Sequence, residues 1–341
     1  MPSKREDFRL TVTEVEVTRT NIPSLDYVLG RGGLPRGRTV VFFGPESSGK
    51  TLLSLQCLAS FQRAGKKGAF VDLEAALDGT IAKACRVDTD ALEYYVPSDG
   101  DQLIEILEDL AGDSSVGLIV IDSITAAKVI ESASEWSIGM LSRFASRLLP
   151  SIASPLYRSG NTLLLISQVR NVIGYATHAE PTGGFAVRHY PSIIVQLKPS
   201  RRDNIMFDRR LSAYKLTLTC TKNKCARPGR SADTWIHLDY PVGVRTNEDL
   251  VRMSMAIGLI SPHSKTYEGV KLAERKEQIR AMVQTLKEHG LLTKLYEEYY
   301  SLIDGSLKEV HHASVSSDTS LDARTDTGCL LYTSPSPRDR G

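Results

Sequence analysis

The sequence predicts an α/β fold with a mostly parallel central sheet flanked by helices. Between residues 39 and 244, short apolar runs rich in β-branched side chains alternate with helical patterns. Such alternation is typical of parallel strands that are joined by helical crossovers. The runs that predict strands are Thr39–Phe43, Gly68–Asp72, Leu118–Ile121, Thr162–Ser167, Ser192–Leu197 and Tyr214–Cys220. Helical patterns rarely interrupt the later runs, so we expect that edge of the sheet to be antiparallel.

Helical patterns lie between the earlier strands, for example at Gln102–Leu110 and Gly139–Ile152. Residues 247–303 carry three further helical patterns, separated by turn residues instead of strand-like runs. In the second of these patterns, apolar side chains from Ile279 to Leu286 recur at the spacing i, i+3, i+4, i+7, which is typical of one helix face. The predicted units are an N-terminal arm at 1–35, a core at 36–246, a small helical C-terminal domain at 247–312 and a disordered tail at 313–341.

The two ends of the chain differ from the rest. Alternating apolar residues around Val15 and Val17 predict a short strand in the N-terminal arm. The chain ends in GCLLYTSPSPRDRG, which resembles translated sequencing-adapter sequence, although a natural disordered tail is the alternative. We exclude this end from the fold prediction.

Composition is ordinary for a soluble globular protein, with 41% hydrophobic and 24% charged residues. The net charge of +2 means that any nucleic-acid binding depends on local basic patches. No apolar run is long enough to span a bilayer, and MPSKREDFRL lacks the apolar centre of a signal peptide. The five cysteines do not form a disulfide framework. We therefore expect a cytoplasmic protein without a membrane partner.

The stretch GPESSGKT matches the phosphate-binding pattern G-x-x-x-x-G-K-[ST] without a mismatch. It lies between a predicted strand and a predicted helix, the context in which backbone N–H groups and the helix N-terminus hold phosphate. The lysine would reach the β- and γ-phosphates, and the hydroxyl after it would ligate Mg²⁺. A glycine turn with a solvated lysine is the alternative, and the flanking strand and helix argue against it. The predicted phosphate-binding residues are Gly44, Pro45, Glu46, Ser47, Ser48, Gly49, Lys50 and Thr51.

Two more predicted strands end in carboxylates. Asp122 follows Leu118–Ile121 in the Walker B pattern, which supplies the second Mg²⁺ ligand of such sites. Glu74 follows the run Gly68–Asp72. Because the carboxyl ends of parallel strands open at one edge of a sheet, both carboxylates would lie near the phosphate loop. Glu74 could deprotonate an attacking water, but its spacing alone equally fits a solvated loop carboxylate.

Six segments of the sequence together resemble a known protein family. The segments GPESSGKT, FVDLEAALD, VIDS, LISQVR, PTGG and TKNK occur in the order found in bacterial RecA recombinases. The similarity extends from about Ile22 to Ile260, and the ordered set is more specific than any single segment except the first. The resemblance implies a RecA-like P-loop NTPase core that uses ATP and Mg²⁺. It also implies a DNA-dependent ATPase that forms a filament on single-stranded DNA, pairs it with homologous duplex DNA and exchanges strands.

Several residues take roles from this resemblance. Thr51 and Asp122 match the Mg²⁺ ligands, and Glu74 matches the catalytic base. Gln168 matches the glutamine that senses the γ-phosphate and couples it to DNA. Further matches are Lys222 and Lys224, the lysine pair that reaches the γ-phosphate of the neighbouring subunit, and Tyr240, an aromatic residue of the adenine pocket.

The resemblance also implies two DNA-binding loops, one near residues 131–139 and one between residues 169 and 187. Basic side chains would neutralise phosphate, apolar ones would wedge between bases, and glycine amides would bind the backbone. The matching residues are Ile138, Arg143, Arg170, Ile173, Gly183 and Gly184. A second basic stretch, Arg201 through Arg210, fits either a DNA contact or a solvated face.

Two rival functions share the same motifs. A regulatory paralogue would bind ATP without catalysis, and the presence of Glu74 and Gln168 argues against it. A ring-shaped helicase-type motor usually carries an extra N-terminal domain, for which we expect no room in this chain. Since fold alone does not establish activity, we keep both as alternatives to the recombinase.

Overall fold

The computed structural model describes residues 14–126, 140–171, 179–200, 202–261, 263, 265–272 and 279–305. The strands are β1 (Val17–Thr18), β2 (Leu34–Pro35), β3 (Thr39–Gly44), β4 (Lys67–Asp72), β5 (Leu92–Tyr95), β6 (Val116–Asp122), β7 (Thr162–Asn171), β8 (Ala179–Pro181), β9 (Ile193–Pro199), β10 (Ile205–Phe207), β11 (Arg210–Asn223), β12 (Ser231–His237), β13 (Gly243–Val244), β14 (Thr266–Tyr267) and β15 (Val270–Lys271). The α-helices are α1 (Pro23–Leu29), α2 (Lys50–Arg63), α3 (Gly79–Ala84), α4 (Gly100–Gly112), α5 (Met140–Ser159), α6 (Gly184–His189), α7 (Thr246–Ala256), α8 (Ile279–Glu288) and α9 (Leu292–Gly305).

The main sheet has the strand order β13-β12-β11-β9-β3-β7-β6-β4-β5. Strands β9, β3, β7, β6, β4 and β5 run parallel to their neighbours. Strands β11, β12 and β13 continue the sheet in antiparallel fashion. Both the mostly parallel sheet and its antiparallel edge are therefore confirmed. Because β3 lies in the middle, the phosphate loop that follows it opens at the carboxyl edge of the parallel strands.

Helices cover both faces of the sheet, which explains why the central strands are apolar throughout. Along β3, Val40 and Phe42 pack with residues of α2, while Val41 and Phe43 pack with residues of α4 and α5. These four side chains are at most 1% exposed. Alternation between two buried faces leaves no polar face on such a strand.

Helix α5 is longer than predicted. The sequence predicted its end at Ile152, but the helix continues to Ser159 through Pro150 and Pro155. Its apolar face also continues, since Ile152 and Leu156 are each 1% exposed. Packing of this face against the sheet compensates for the backbone hydrogen bonds that the two prolines remove.

The C-terminal region has its own apolar cluster. Helices α7, α8 and α9 bury Met282, Val283 and Leu286, which confirms the predicted amphipathic helix. The short β14–β15 hairpin was not predicted, because strands of two residues leave no readable period. Tyr299 and Tyr300 of α9 donate hydrogen bonds to α1. The division into domains remains a prediction. In the part of the chain that the structure describes, no helix is long and apolar enough to cross a membrane.

Candidate functional site

The phosphate loop connects β3 to α2. Gly49 caps α2 in the left-handed region, with φ 86°, and no side chain caps the helix. A side chain at Gly49 would be strained by this φ, and its Cβ would lie 2.9 Å from the hydroxyl of Tyr214. The first N–H groups of α2 thus remain available to an anion. The loop lines a cavity of about 550 Å³.

Lys50 lies at the first turn of α2 and is 8% exposed. Its Nζ donates to the carbonyl oxygens of Pro45 (2.7 Å) and Gly44 (3.2 Å) and to Ser48 Oγ (3.4 Å). Burial lowers the pKa of Lys50, while the nearby carboxylates Asp122, Glu74 and Glu46 act in the opposite direction. The ammonium group is therefore held inside the loop, where a phosphate chain would replace carbonyl partners with stronger anionic ones.

Thr51 and Asp122 meet as predicted for a pair of Mg²⁺ ligands. Thr51 Oγ1 donates to Asp122 Oδ2 at 2.6 Å. Burial, helped by the carboxylates of Glu74 and Asp72, raises the pKa of Asp122 to about 6 against the opposing effects of the Thr51 bond and Lys50. Mg²⁺ is usually held by one or two carboxylates together with water and substrate phosphate. This hydroxyl–carboxylate pair, surrounded by excess negative charge, fits that ion.

Glu74 lies in a second, smaller cavity of about 120 Å³ that Thr51, Asp72 and Asp122 also line. The side chain of Glu74 is exposed to solvent. The hydroxyl of the buried Ser123 donates to Glu74 Oε1 at 2.6 Å. The structure thus brings Glu74 to the Mg²⁺-ligand pair, and Ser123 is a contact that the sequence analysis missed.

A buried carboxylate shapes the loop that carries Glu74. Asp72 accepts backbone N–H bonds from Glu74 (3.1 Å), Ala76 (2.9 Å) and Leu77 (2.8 Å). It also accepts the hydroxyl of Tyr94 at 3.0 Å. The sequence analysis noted Asp72 only as the end of a strand. Its signal was a second carboxylate two residues before the predicted base.

Gln168 is placed beside the phosphate loop, because β7 pairs with β3 in a register that puts it opposite Gly44. Its backbone N–H donates to Thr125 Oγ1 at 3.3 Å. Its carbonyl oxygen accepts from the N–H (2.9 Å) and the hydroxyl (3.0 Å) of Thr182. Both backbone polar groups of Gln168 are thus hydrogen-bonded, while its side chain is half-exposed.

The second predicted DNA-binding loop contains more regular structure than expected. Strand β7 continues to Asn171 and pairs with β8 through residues 169–171 and 179–181, so part of the predicted loop is a short ladder. Helix α6 then begins at Gly184. Arg170 lies in this ladder, opposite Glu180. Ile173 falls outside the described residues.

The two predicted DNA-binding glycines have a packing reason of their own. Gly183 is buried. At Gly184, which has φ +74°, a Cβ would lie 2.2 Å from Ser142 Oγ on α5. Arg143 is exposed on the same helix, one residue away. Ile138 and the predicted first loop at 131–139 fall outside the described residues.

Lys222 and Lys224 lie together at the carboxyl end of α6. Lys222 Nζ donates to the carbonyl oxygens of Arg188 (2.6 Å) and His189 (2.8 Å). Lys224 Nζ donates to those of His189 (2.9 Å) and Tyr190 (3.4 Å). Burial and the neighbouring ammonium lower the pKa of Lys222 to about 8. Cations at the last carbonyls of a helix are a favourable arrangement.

Tyr240 stands apart from the residues above. Its side chain is 79% exposed, and it does not belong to the described lining of the phosphate-loop cavity. Leu238, two residues earlier, and Tyr214 do line that cavity. Burial raises the pKa of Tyr214 to about 12, so its hydroxyl stays protonated at neutral pH. The sequence offered no signal for Tyr214.

Comparison with known proteins agrees with this geometry. The family model of the RecA N-terminal domain matches residues 7–244. The Protein RecA of Acidothermus cellulolyticus is 37% identical over 274 residues, which cover 78% of each chain. The Protein RecA of Tropheryma whipplei is 33% identical over 339 residues, covering 95% of this chain and 76% of that protein.

A solved structure of a RadB recombinase covers 67% of this chain and 98% of its own length, with a TM-score of 0.52 and 23% identity. That likeness concerns the fold. These relatives agree with the RecA-like α/β fold and with the phosphate loop and its Walker B carboxylate. The chain belongs to the RecA family of recombinases, which carry out homologous DNA pairing in recombination and repair.

Proposed function

We propose that this protein is a DNA-dependent ATPase that assembles into a filament on single-stranded DNA and exchanges strands with a homologous duplex. The observation that carries the proposal is the register of β3 and β7, which places Gln168 opposite Gly44. One strand thus leads from the phosphate loop directly into the ladder of the second predicted DNA-binding segment. Nucleotide and DNA would therefore act on the same short piece of backbone.

ATP is the substrate of the proposed reaction. The free N–H groups of α2 and the ammonium of Lys50 would bind its phosphates, and Lys50 would exchange its loop carbonyls for phosphate oxygens. Thr51 and Asp122 would hold Mg²⁺, which neutralises charge on the phosphates when bound. The hydroxyl of Thr51 would then turn from Asp122 Oδ2 towards the ion.

Glu74 is proposed as the base for the attacking water. The bond from Ser123 orients one carboxylate oxygen, and the backbone bonds to Asp72 hold the loop that carries it. The side chain of Glu74 is exposed to solvent, so its carboxylate can accept the proton of a water. Deprotonation of water by a positioned carboxylate is the usual role of such a residue.

The neighbouring subunit would complete the site. Lys222 and Lys224 are proposed to reach the γ-phosphate bound by the next protomer of the filament, and Tyr240 to contact adenine. The exposure of Tyr240 and the shared location of the two ammonium groups support contacts outside the single chain. DNA contacts are proposed for Arg143, Arg170, Gly183, Gly184, Ile138 and Ile173. The regulatory paralogue and the ring-shaped motor are not favoured, because the relatives are RecA proteins.

Electron microscopy with single-stranded DNA and a slowly hydrolysed ATP analogue tests this proposal. We expect continuous filaments, and joint molecules when a homologous duplex is added. Lys50→Ala should form neither, because its loop lacks the ammonium that meets the phosphates. Closed rings would favour the motor. Isolated particles without joint molecules, from protein that binds ATP, would favour the regulatory paralogue.

A further inference from the structure

Strand β7 loses its neighbour on one side just before Gln168. Its last pair with β6 is Leu165 with Ile121, whereas its pairing with β3 continues to Gln168. The backbone N–H of Gln168 therefore needs a partner other than β6. Thr125 supplies it, with Oγ1 accepting at 3.3 Å. Thr125 belongs to the short 3₁₀ turn Ile124–Ala126 that follows the Walker B strand.

Thr182 holds the carbonyl oxygen of Gln168 through its N–H and hydroxyl, and Ser167 Oγ also donates to that oxygen at 3.2 Å. Ser167 Oγ donates in turn to the carbonyl oxygen of Thr182 at 2.9 Å. The N–H and C=O of Gln168 are thus both bound by side chains or backbone of other segments. Its half-exposed side chain is the part of Gln168 that could bind a phosphate and release it.

We propose that Thr125 is a positioning residue for Gln168, fixing the backbone so that a change in side-chain partner is passed to the β7–β8 ladder. This inference rests on the proposed function, because it requires DNA affinity to depend on the nucleotide. Without the Thr125 hydroxyl, the backbone of Gln168 can shift when its side chain binds a phosphate. Less of the conformational change is then passed to the β7–β8 ladder. A coupling between two sites requires such a shared, constrained element.

A second close approach involves α6, the helix that follows the ladder. Helix α6 follows the β7–β8 ladder, and its Gly184 approaches Ser142 of α5 so closely that a Cβ would lie 2.2 Å from Ser142 Oγ. Helix α5 and the turn of Thr125 flank the first predicted DNA-binding loop in the chain. The helix that follows the ladder therefore has a close neighbour on α5.

The test compares Thr125→Val, which removes the acceptor at nearly constant shape, with Thr125→Ser, which keeps it. Fluorescence anisotropy of a labelled oligonucleotide, at fixed salt, measures DNA affinity with an ATP analogue and with ADP. Couplings of this kind usually amount to about 5–150-fold in affinity. We expect Thr125→Val to lose most of the ATP-over-ADP preference, Thr125→Ser to retain it, and ATP affinity to change by less than about threefold in either.

A merely stabilising bond predicts a different pattern, in which Thr125→Val lowers the melting temperature and leaves the nucleotide preference intact. That pattern would overturn the inference. If Thr125→Val does not fold, Thr125→Ala takes its place, because it removes the same acceptor without adding a methyl group. A wild-type protein without any ATP preference would overturn the proposed function, and the inference with it. A wild-type preference that both variants keep would overturn only the inference.

Discussion

Two aspartates in different regions show how similar desolvation can serve structure or function. Burial raises the pKa of Asp26, an α1 residue that is hydrogen-bonded to α9, to about 7 and the pKa of Asp122, at the nucleotide site, to about 6. Asp26 accepts the N–H (3.0 Å) and hydroxyl (2.8 Å) of Thr20 and the hydroxyl of Tyr300 (2.7 Å), all of which favour its charged form. Asp122 instead has Glu74 and Asp72 as neighbours, whose negative charges act with burial to raise its pKa.

The difference teaches where a ligand is needed. At Asp26 the protein itself supplies the donors, so the region is complete without anything from outside. At Asp122 the neighbours include two further carboxylates, Glu74 and Asp72, and one hydroxyl donor, Thr51. Such a group is stabilised by an external cation, because like charges at short range disfavour the ionised form. The comparison predicts that changes at the two aspartates will affect different properties.

The largest expected effect is on turnover. Glu74→Gln removes the proposed base while keeping the shape of the side chain, so ATP hydrolysis stimulated by DNA should fall about 10²–10⁴-fold. ATP and DNA binding should persist, since Glu74 acts on water during reaction. Glu105→Gln, an exposed carboxylate on α4, is the matched control and should hydrolyse ATP at the wild-type rate. A Glu74→Gln rate within tenfold of wild type would contradict the role of the base.

The next effect concerns stability. Tyr300→Phe removes one donor from the fully buried Asp26, and an unsatisfied buried acceptor typically costs about 1–3 kcal/mol. We expect the free energy of unfolding, measured by urea denaturation, to fall by this amount and the midpoint to fall with it. ATP affinity should stay constant. Tyr157→Phe, at a side chain that is 62% exposed, should leave the midpoint unchanged. Equal losses in ATP affinity and stability would show that the two regions are not separate in function.

Most of the fold and the centre of the site could be predicted from the sequence. Alternating apolar runs predicted the parallel sheet, since burial of both strand faces leaves a direct compositional signal. The phosphate loop was readable because its chemistry needs fixed residue types at fixed spacing. Asp122 was predicted from its position at the carboxyl end of a strand and Gln168 from the family resemblance, and the structure places both beside the loop.

Contacts between distant segments were not readable. Ser123 with Glu74 and Thr125 with Gln168 each depend on how strands align in space, and single hydroxyl residues give no periodic signal. The β7–β8 ladder was predicted as an open loop, because its strand β8 has only three residues. Gly184 was assigned to DNA binding from resemblance, whereas the close approach of Ser142 gives a second reason for glycine there.

The smallest expected effect is the pH dependence of Mg²⁺–ATP binding, and it has a definite sign. The folded pKa of Asp122, about 6, lies above the ordinary value of 3.8. As pH falls through 6, Asp122 gains a proton and loses the charge that would attract Mg²⁺. Affinity that depends on this charge should then fall by about tenfold per pH unit. The stability of the free protein changes in the opposite direction, because a raised carboxyl pKa contributes stability at low pH that is lost as pH rises through 6.

Calorimetric titration with Mg²⁺–ATP between pH 5 and 7.5 measures the first of these trends, and Asp122→Asn is the control. The titration of the ATP phosphates is common to both proteins and cancels when their affinities are compared. We expect Asp122→Asn to bind more weakly than wild type above pH 6 and the two curves to converge below it. Parallel curves across the whole range would show that Asp122 does not act through its charge. Convergence would show that the nucleotide site requires the ionised form of Asp122, a form that burial of the carboxylate disfavours.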